Sequence, residues 1–401
     1  MLNRRQFLLG SAFTCAAAII HDHLSAQNMP TPRYLGKGAS PQQVIIIGAG
    51  LSGLVAAYEL SAVGHSVTIL ESQERVGGRV LTLRGGFSDN HFVDAGASRI
   101  PQNHYLTLAY VQHFGLALKR FYPSQGSYVS FKDGQRIFTS VENFEKLLAS
   151  AQISKWTKIA EGADRLPQAF AKALARKIQL GAAVIRIEQD EREVRVFCQS
   201  GQEYRADQVI CTVPLPVLGK ISFSPQLSSP KQIAIAGGYD YRAATRMFVE
   251  FPERFWEAEG LNGWGVLAQQ PEELWQPTWD SRGKTGILHA YLKGENAIAM
   301  DALAADQQLP RLLQKWENLF PNIKNYPSKL ISYSWTEDPW VKAGWAYPTK
   351  AQETNLFEQL GRSEGKVHFA GEHTASDRGW MQGALASGLR VAQEIHLRQS
   401  I

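Results

Sequence analysis

The sequence predicts an α/β protein in which the two ends of the chain form one domain and a second domain is inserted between them. A strand, a glycine-rich loop, a helix and a second strand follow one another over residues 44–70, and another strand and helix lie over residues 367–396. The intervening region mixes short strands with amphipathic helices. A chain of 401 residues is long enough for two lobes. We therefore expect a Rossmann-like domain with an inserted mixed α+β domain.

The first of these segments forms a compact βαβ unit. Val44–Ile47 is a run of β-branched residues, which is typical of a strand buried in a parallel sheet. Leu54–Val63 has helical spacing and good helix formers, and Gly64 ends it. Ser66–Leu70 is the second strand.

The rest of the chain is divided between the two predicted domains. Residues 41–94, 156–223 and 361–401 are assigned to the dinucleotide domain, and residues 95–155 and 224–360 to the inserted substrate domain. Helices are predicted over Phe170–Ile178, Leu309–Leu319 and Met381–His396. Strands are predicted over Ala183–Ile187, Glu193–Cys198, Gln208–Val213, Met247–Phe251 and Val367–Ala370.

The N-terminus has the order of regions found in an export signal. Arg4 and Arg5 precede an apolar stretch over residues 8–20, which is too short to span a bilayer. Paired arginines resemble the bacterial twin-arginine signal, so residues 1–26 are predicted to be removed and the protein to be periplasmic or secreted. A disordered tail or a monotopic anchor is the alternative. Residues 27–40 are predicted to be a linker, and no later run predicts a stable membrane anchor.

Composition argues against several other classes of protein. The net charge is +5 and the lysines and arginines are scattered, so no nucleic acid partner is expected. The three cysteines, Cys15, Cys198 and Cys211, lack CxxC spacing and a histidine partner, so no metal site is predicted. Cys198 and Cys211 are expected to be buried apolar side chains, and a disulfide between them is the alternative.

The glycine-rich loop has the spacing of a dinucleotide-binding motif. Gly48, Gly50 and Gly53 form GxGxxG between the first strand and the helix. The first glycine permits the tight turn, the second leaves room for a pyrophosphate, and the third lets the helix approach the sheet. Ser52 lies in the first helical turn, whose free N–H groups favour phosphate. Glu71 ends the second strand, where a carboxylate accepts hydrogen bonds from both ribose hydroxyls of an adenosine.

Further motifs carry a resemblance to a known family. The run Arg75-Val76-Gly77-Gly78-Arg79 follows the second strand and offers arginine to a pyrophosphate. Phe369–Thr374 and Gly379–Ala384 precede and open the last predicted helix. Together with the βαβ unit, these motifs resemble the flavin-containing amine oxidases, which include monoamine, polyamine and L-amino acid oxidases. The resemblance brackets nearly the whole mature chain, is closest to the L-amino acid oxidases, and implies a flavoenzyme that binds FAD.

The resemblance also implies which residues contact FAD. In the family, the glutamate at the Glu372 position holds the ribityl chain, and the valine at Val184 contacts the adenine. The last helix points its N-terminus at the flavin pyrimidine. Gly344 stands where some members carry a flavin-linked cysteine, so FAD is expected to be non-covalent. The predicted cofactor-binding residues are Gly48, Gly50, Ser52, Gly53, Glu71, Gly78, Arg79, Ser98, Arg99, Val184, Glu372, Trp380 and Met381.

The same resemblance implies how a substrate is held. Arg99 lies in segment 94–104, which resembles the part of L-amino acid oxidases where an arginine binds the substrate carboxylate through a two-pronged contact. A structural ion pair or a flavin contact is the alternative role. The Gly379 carbonyl would accept a hydrogen bond from the substrate amine, and Trp380 would form one aromatic wall. Trp345 would form the other wall, with an ordinary core position as the alternative.

Two features depart from the family pattern. Arg246 aligns with a lysine that, in the family, holds a water near flavin N5 and is linked to oxygen reactivity. Arginine stays charged and is a poor proton shuttle, so the acceptor is either O2 or another group such as a quinone or cytochrome. Only residues 140–155 stand where L-amino acid oxidases have a helical lid, so the lid is expected to be largely missing and one or two short helices to remain.

The sequence thus predicts FAD-dependent oxidative deamination of an L-amino acid to a 2-oxo acid and ammonia, with hydride transfer to the flavin. The predicted catalytic residues are Arg99, Arg246, Trp345, Gly379 and Trp380. The nearest alternative is an amine or polyamine oxidase or dehydrogenase without a carboxylate requirement. A flavin desaturase acting on a lipophilic ring and a non-catalytic flavin-binding module are the other two. A homo-oligomeric state is left open.

Overall fold

The computed structural model describes residues 34–36, 40–150, 155–267 and 273–397. The predicted export signal and most of the predicted linker lie outside these residues. In the described part of the chain, no helix is long and apolar enough to cross a membrane.

The fold is mixed α/β, with 22 strands and ten α-helices in the described residues. The strands are β1 (Gln43–Ile47), β2 (Ser66–Leu70), β3 (Thr82–Leu83), β4 (Val93–Asp94), β5 (Leu118–Arg120), β6 (Ser127–Lys132), β7 (Gln135–Ser140), β8 (Thr157–Ile159), β9 (Ile178–Gln179), β10 (Val184–Gln189), β11 (Val194–Cys198), β12 (Glu203–Ala206), β13 (Gln208–Cys211), β14 (Ser222–Ser224), β15 (Tyr241–Arg242), β16 (Ala244–Phe251), β17 (Leu261–Leu267), β18 (Glu273–Trp275), β19 (Gly286–Lys293), β20 (Lys329–Ser334), β21 (Trp345–Ala346) and β22 (Val367–Phe369). The helices are α1 (Leu51–Ala62), α2 (Tyr105–His113), α3 (Val141–Ser150), α4 (Arg165–Ala173), α5 (Leu215–Leu218), α6 (Ser229–Ile233), α7 (Glu295–Asp301), α8 (Ala305–Trp316), α9 (Lys350–Leu360) and α10 (Met381–Leu397).

A five-stranded parallel sheet, in the order β22-β13-β1-β2-β9, carries the glycine-rich loop. Strand β1 is central, and its Ile46 pairs with Ile69 on one side and Ile210 on the other. Its apolar run is buried because neighbouring strands and helices cover it. Helix α1 begins at Leu51, three residues earlier than predicted, because the helix starts directly from the glycine-rich loop.

The first and last helices of the chain pack closely over this sheet. A Cβ at Gly388 of α10 would overlap the carbonyl oxygen of Ser52 and press on the Val55 side chain of α1. Small residues let the two helix backbones approach, which brings the N-terminus of α10 beside the glycine-rich loop. Gly388 therefore has a packing role between α1 and α10.

Replacing Gly388 with alanine is expected to lower the free energy of unfolding by about 1–3 kcal/mol, because the added methyl group forces the two helices apart. Chemical denaturation followed by circular dichroism measures the loss. The matched control is Gln393→Ala, at an exposed position of the same helix, which is expected to change little. Equal unfolding midpoints for Gly388→Ala and the wild type would contradict the close packing.

One predicted helix is wrong in its second half. Phe170–Ile178 was expected to be helical, but α4 ends at Ala173 and Ile178–Gln179 forms an edge strand that pairs with Ile69 and Leu70 of β2. Arg176 has a left-handed backbone with φ 67°, which turns the chain away from the helix. Pairing with a distant strand decides this conformation, and hydrophobic spacing does not reveal such a pairing. The other predicted strands and helices are present, with shifted ends.

A seven-stranded sheet, in the order β20-β16-β19-β18-β17-β6-β7, forms the second large layer. All eight residues of β16 are buried, and β16 pairs antiparallel with β19 so that Arg246 lies opposite Tyr291. Strands of this sheet come from residues 127–140 and 244–334, whereas those of the parallel sheet come from residues 43–70, 178–211 and 367–369. The predicted domain borders fall between these two sets.

Two smaller expectations concern the cysteines and the shortened lid. Cys198 and Cys211 are buried free thiols, as expected, and no disulfide joins them. Burial raises the pKa of the Cys211 thiol to about 12. Between residues 140 and 155 the structure describes one helix, α3. The absence of most of the lid remains a prediction.

Candidate active site

A cavity of about 490 Å³ runs between the parallel sheet and the seven-stranded sheet. We call the part lined by the glycine-rich loop its nucleotide end, and the part lined by a group of charged and aromatic side chains its far end. Of the predicted site residues, the structure brings together around this cavity Gly48, Gly50, Ser52, Glu71, Gly78, Arg79, Ser98, Arg99, Val184, Arg246, Trp345, Glu372, Gly379, Trp380 and Met381. Gly53 is the exception and lies behind the loop.

The glycine-rich loop leaves an open cradle at the end of β1. Gly48 has φ +103°, which favours glycine, and a Cβ there would meet the Thr212 hydroxyl. A Cβ at Gly53 would overlap the Gly48 carbonyl oxygen, so the glycine allows α1 to sit close to the sheet. Gly50 is the N-cap of α1, has open space where a side chain would be, and supplies no side-chain cap. The free N–H groups of the helix thus face a concavity that suits a phosphate.

Glu71 and the second glycine motif complete this end of the cavity. The buried Glu71 carboxylate accepts hydrogen bonds from the Ala49 N–H at 2.7 Å and the Gln73 N–H at 2.9 Å. Burial raises the pKa of this carboxyl, and these bonds oppose that effect. Gly78 lies close to Gly50, since a Cβ added at Gly78 would be 3.4 Å from the Cα of Gly50. The two glycine motifs therefore form one continuous backbone-lined groove.

An ion pair joins the predicted second FAD motif to the first. Arg79 Nη1 donates to Glu372 Oε1 at 2.8 Å and to the Gly344 carbonyl at 3.1 Å. The other Glu372 oxygen accepts from the Gly379 N–H at 2.8 Å. Burial acts to raise the pKa of Glu372, but Arg79 and these hydrogen bonds hold it below its usual value. Glu372 is thus an ionised carboxylate at the middle of the cavity.

Aromatic side chains form the walls beyond Glu372. Gly379 has φ +76°, and a Cβ there would lie 3.1 Å from the Trp345 indole, so glycine is needed for both shape and contact. Trp380 packs against His104 at 4.9 Å and against Trp156 at 6.2 Å between ring centroids. The two predicted indoles therefore line the same chamber.

A buried charge cluster closes the far end. Arg99 Nη2 and Lys293 Nζ each form a short ion pair with one oxygen of Glu273. Burial alone would raise the pKa of Glu273, but the two cations lower it to about 2. The Arg99 guanidinium lies between aromatic rings, 4.7 Å from Trp275 and 5.1 Å from Trp156. Arg99 is therefore held on the cavity wall by one carboxylate and several rings.

Arg246 lies beside this cluster, and no carboxylate in the described part of the chain forms an ion pair with it. Its guanidinium is 3.3 Å from the centre of the Tyr291 ring, and Nη2 donates to the Gly96 carbonyl at 3.3 Å. Nε and Nη1 have no hydrogen-bond partner. Burial lowers the pKa of Arg246 to about 10, so it is still charged at neutral pH.

Four residues of this chamber were not anticipated from the sequence: Trp156, Glu273, Tyr291 and Lys293. A signal existed for two of them, because His289, Tyr291 and Lys293 alternate along the otherwise apolar strand β19. Period-two polar residues in a buried strand indicate a polar cavity on one face. Glu273 gave no such signal, since its pairing with Arg99 joins residues far apart in the chain.

Sequence comparisons with known proteins find a matching family and curated relatives. The sequence pattern of flavin containing amine oxidoreductases matches residues 51–157 and 144–396. YobN of Bacillus subtilis (strain 168) is 28% identical over 461 residues, covering 90% of this chain and 96% of that protein. The L-amino-acid oxidase of Pseudechis australis is 26% identical, covering 90% of this chain and 88% of that enzyme.

Solved structures share the fold. A mutant of putrescine oxidase superposes with a TM-score of 0.78 at 19% identity, covering 89% of this chain and 99% of that one. The cyclohexylamine oxidase of Brevibacterium oxydans IH-35A superposes with a TM-score of 0.76 at 19% identity, covering 90% and 100% of the two chains.

Proposed function

The chain belongs to the flavin containing amine oxidoreductase family, and from that premise we propose that it oxidises an L-amino acid to a 2-oxo acid and ammonia. The observation that carries the proposal is the position of Arg99, whose side chain lines the same cavity as Gly379 and Trp380 and lies 5.1 Å from the Trp156 ring. An arginine there recognises the carboxylate that distinguishes an amino acid from a simple amine.

The cavity fits FAD held without a covalent bond. The glycine cradle suits the diphosphate, Glu71 suits the ribose hydroxyls, and Val184 and Glu372 line the cavity where the adenine and the ribityl chain are proposed to lie. A side chain at Gly344 would overlap the Ala244 methyl group, and neither described cysteine lines the cavity. These observations support non-covalent binding. When bound, FAD supplies the acceptor for the hydride that leaves the α-carbon of the substrate.

The protein's own groups orient the substrate and exclude water. Arg99 would exchange its contact with Glu273 for the α-carboxylate, while Lys293 keeps Glu273 paired. The Gly379 carbonyl would accept a hydrogen bond from the neutral amine, and Trp345 and Trp380 would confine it between two indoles. No side chain is required as a general base when the amine is already neutral. The imino acid product hydrolyses in water to the 2-oxo acid and ammonia.

The second candidate is an amine oxidase or dehydrogenase with no carboxylate requirement. It is favoured by the ion pair between Arg99 and Glu273, which satisfies the guanidinium without any substrate. In that case Arg99 is structural and the chamber binds the apolar part of an amine.

Anaerobic bleaching of the flavin tests the two candidates. The purified yellow protein is mixed without oxygen with each of the twenty L-amino acids and with a panel of simple amines, and flavin absorbance is followed. Bleaching by amino acids but not by amines supports the proposed function. Bleaching by amines alone assigns the protein to the second candidate, and no bleaching by either refutes both.

The electron acceptor is proposed to depend on Arg246. Because a guanidinium at this buried position shuttles protons poorly, flavin reduced by substrate is expected to reoxidise slowly in air. Arg246→Lys is expected to raise the rate at least about tenfold, since an ammonium exchanges protons more readily. Stopped-flow absorbance measures reoxidation, with a quinone as the comparison acceptor. Fast reoxidation of the wild type by O2, at the rate of substrate oxidation, would contradict this expectation.

We also propose export through the twin-arginine route and a chamber that lacks most of the helical lid. The export proposal is tested by fractionating cells that carry the wild type or a variant with Arg4 and Arg5 changed to lysine. Retention of the variant in the cytoplasm, with the wild type in the periplasm or medium, is the expected result.

A further inference from the structure

The far end of the cavity holds more positive than negative charge. Arg99, Arg246 and Lys293 line it, and the carboxylate that faces them is Glu273. Both oxygens of Glu273 are already taken by Arg99 and Lys293. His289 adds no charge, because burial and the neighbouring arginines hold its pKa well below its usual value. Among the residues that the structure describes, three cations thus line this end and one carboxylate, Glu273, is in contact with two of them.

The other carboxylates near the cavity do not correct this imbalance. Glu71 accepts hydrogen bonds from backbone N–H groups at the nucleotide end, and Glu372 is bonded to Arg79. Asp94 contributes negative charge near Arg246, but in the described residues it forms no ion pair with the cluster and instead accepts hydrogen bonds from a threonine hydroxyl at 2.6 Å and from a backbone N–H at 3.0 Å. The phosphates of FAD would lie at the glycine-rich loop, the opposite end of the cavity, and would not neutralise the cluster.

Unsatisfied donors accompany the excess charge. Nε of Arg99 and both Nε and Nη1 of Arg246 are buried and have no hydrogen-bond acceptor within residues 34–36, 40–150, 155–267 and 273–397. Buried polar groups are nearly always paired, and an unpaired charged donor costs more than a neutral one. Two guanidiniums that both lie over Tyr291 and Trp275, with free N–H groups, form a site for a ligand with several anionic oxygens.

We propose that the substrate is an acidic L-amino acid of the aspartate or glutamate class, an inference that rests on the proposed amino acid oxidation. The α-carboxylate binds Arg99, and the side-chain carboxylate binds Arg246 with added attraction from Lys293. When Arg99 turns to the substrate, Lys293 keeps Glu273 neutralised. Two ligand carboxylates then match the two cations that have no anion of their own.

A basic side chain is the opposite possibility, because Glu273 could pair with it. Such a substrate would bring a fourth cation to a site that holds three cations for one carboxylate, and it would leave Arg246 unpaired. Like charges that share a buried site repel strongly, because the low dielectric constant there screens them poorly. The charge balance therefore favours the acidic side chain.

Binding of glutarate and of its monoamide, glutaramate, by the FAD-loaded protein tests the proposal. The two ligands differ by one carboxylate, and neither has an amine to be oxidised, so the measurement does not depend on turnover. Perturbation of the flavin absorbance gives each dissociation constant. Glutarate is expected to bind at least about tenfold more tightly, the gain typical of a charge-assisted hydrogen bond. Equal affinities would overturn the proposal.

Variants of Arg246 test whether this residue causes the preference for glutarate over glutaramate. Arg246→Gln is expected to bring the two affinities within about twofold of each other, whereas Arg246→Lys keeps most of the preference. The matched control is Lys220→Gln, which removes another cation of the cavity wall whose ammonium already donates to the Pro339 carbonyl at 2.7 Å. Lys220→Gln is expected to leave the ratio of the glutarate and glutaramate dissociation constants unchanged. An unchanged ratio in Arg246→Gln would overturn the assignment, and the wild-type comparison stands if that variant does not fold.

The bleaching experiment separates failure of this inference from failure of the proposed function. Faster bleaching by glutamate or aspartate than by their amides is expected. Faster bleaching by neutral or basic L-amino acids refutes the acidic side chain but leaves amino acid oxidation standing. Bleaching by amines alone refutes the proposed function itself.

Discussion

Replacing Arg99 with methionine is expected to lower kcat/KM for L-amino acids by about two to three orders of magnitude. The Arg99 side chain on the wall of the chamber is 11% exposed, and truncating one partner of a largely buried, hydrogen-bonded charge pair costs a few kcal/mol of binding free energy. Methionine keeps the unbranched shape of the side chain and its contacts with the Trp275 and Trp156 rings. The loss should therefore report the missing carboxylate contact.

Steady-state kinetics with the best amino acid substrate, at constant FAD occupancy, measures this effect. An amine that lacks the carboxylate is the internal control, and its slow oxidation is expected to be unchanged by Arg99→Met. Arg99→Lys should recover part of the loss, since it restores the charge but not the two-pronged contact. Equal losses for the amine and the amino acid would show that Arg99 acts only through the structure of the site.

Replacing Glu273 with glutamine is expected to reduce the free energy of unfolding by about 3 kcal/mol. The change leaves Arg99 and Lys293 buried side by side without their shared anion, and such uncompensated buried charges are costly. Urea denaturation of the FAD-saturated protein measures the loss. The matched control is Glu142→Gln, which removes the same group from an exposed ion pair with Lys146 and is expected to change little. Similar losses in the two variants would contradict a stabilising role for Glu273.

The difference in the free energy of unfolding between the wild type and Glu273→Gln is expected to depend on pH in one direction. The cations lower the pKa of Glu273 from its ordinary 4.5 to about 2. A carboxylate with a lowered pKa contributes its stability above the unfolded value, and that contribution is lost as the pH falls toward the folded value. The gap between wild type and Glu273→Gln should therefore be full at about pH 6 and should shrink between about pH 4.5 and about pH 2. A gap that widens on acidification would contradict the assignment.

Local sequence was sufficient for the nucleotide end of the molecule. The βαβ dinucleotide-binding motif explains the features of this end, because all of its parts lie close together in the chain. These features are the β-branched run before Gly48, the spacing of Gly48, Gly50 and Gly53, and the acid at Glu71. The residues that form this cradle are neighbours in the chain or joined by one crossover, and so their pattern predicts their geometry. The resemblance to flavin-containing amine oxidases, confirmed by the family match, extended that prediction to Arg79 and Glu372.

Only the tertiary structure decided the chemistry of the far end. Glu273 meets Arg99 across 174 positions of the chain, and Lys293 joins them from the strand that pairs with β16. Sequence spacing does not reveal such an ion pair. The interaction energy of the pair depends on burial and on which side chains share a region of low dielectric constant, and both follow from the tertiary structure. The edge strand at Ile178 also depends on the tertiary structure, because it forms by pairing with β2, which is distant in the chain. The sequence by itself predicted the glycine-rich cradle proposed to hold a dinucleotide, because the residues that form it are close in the chain, whereas the net charge at the far end of the cavity depends on packing between strands far apart in the chain.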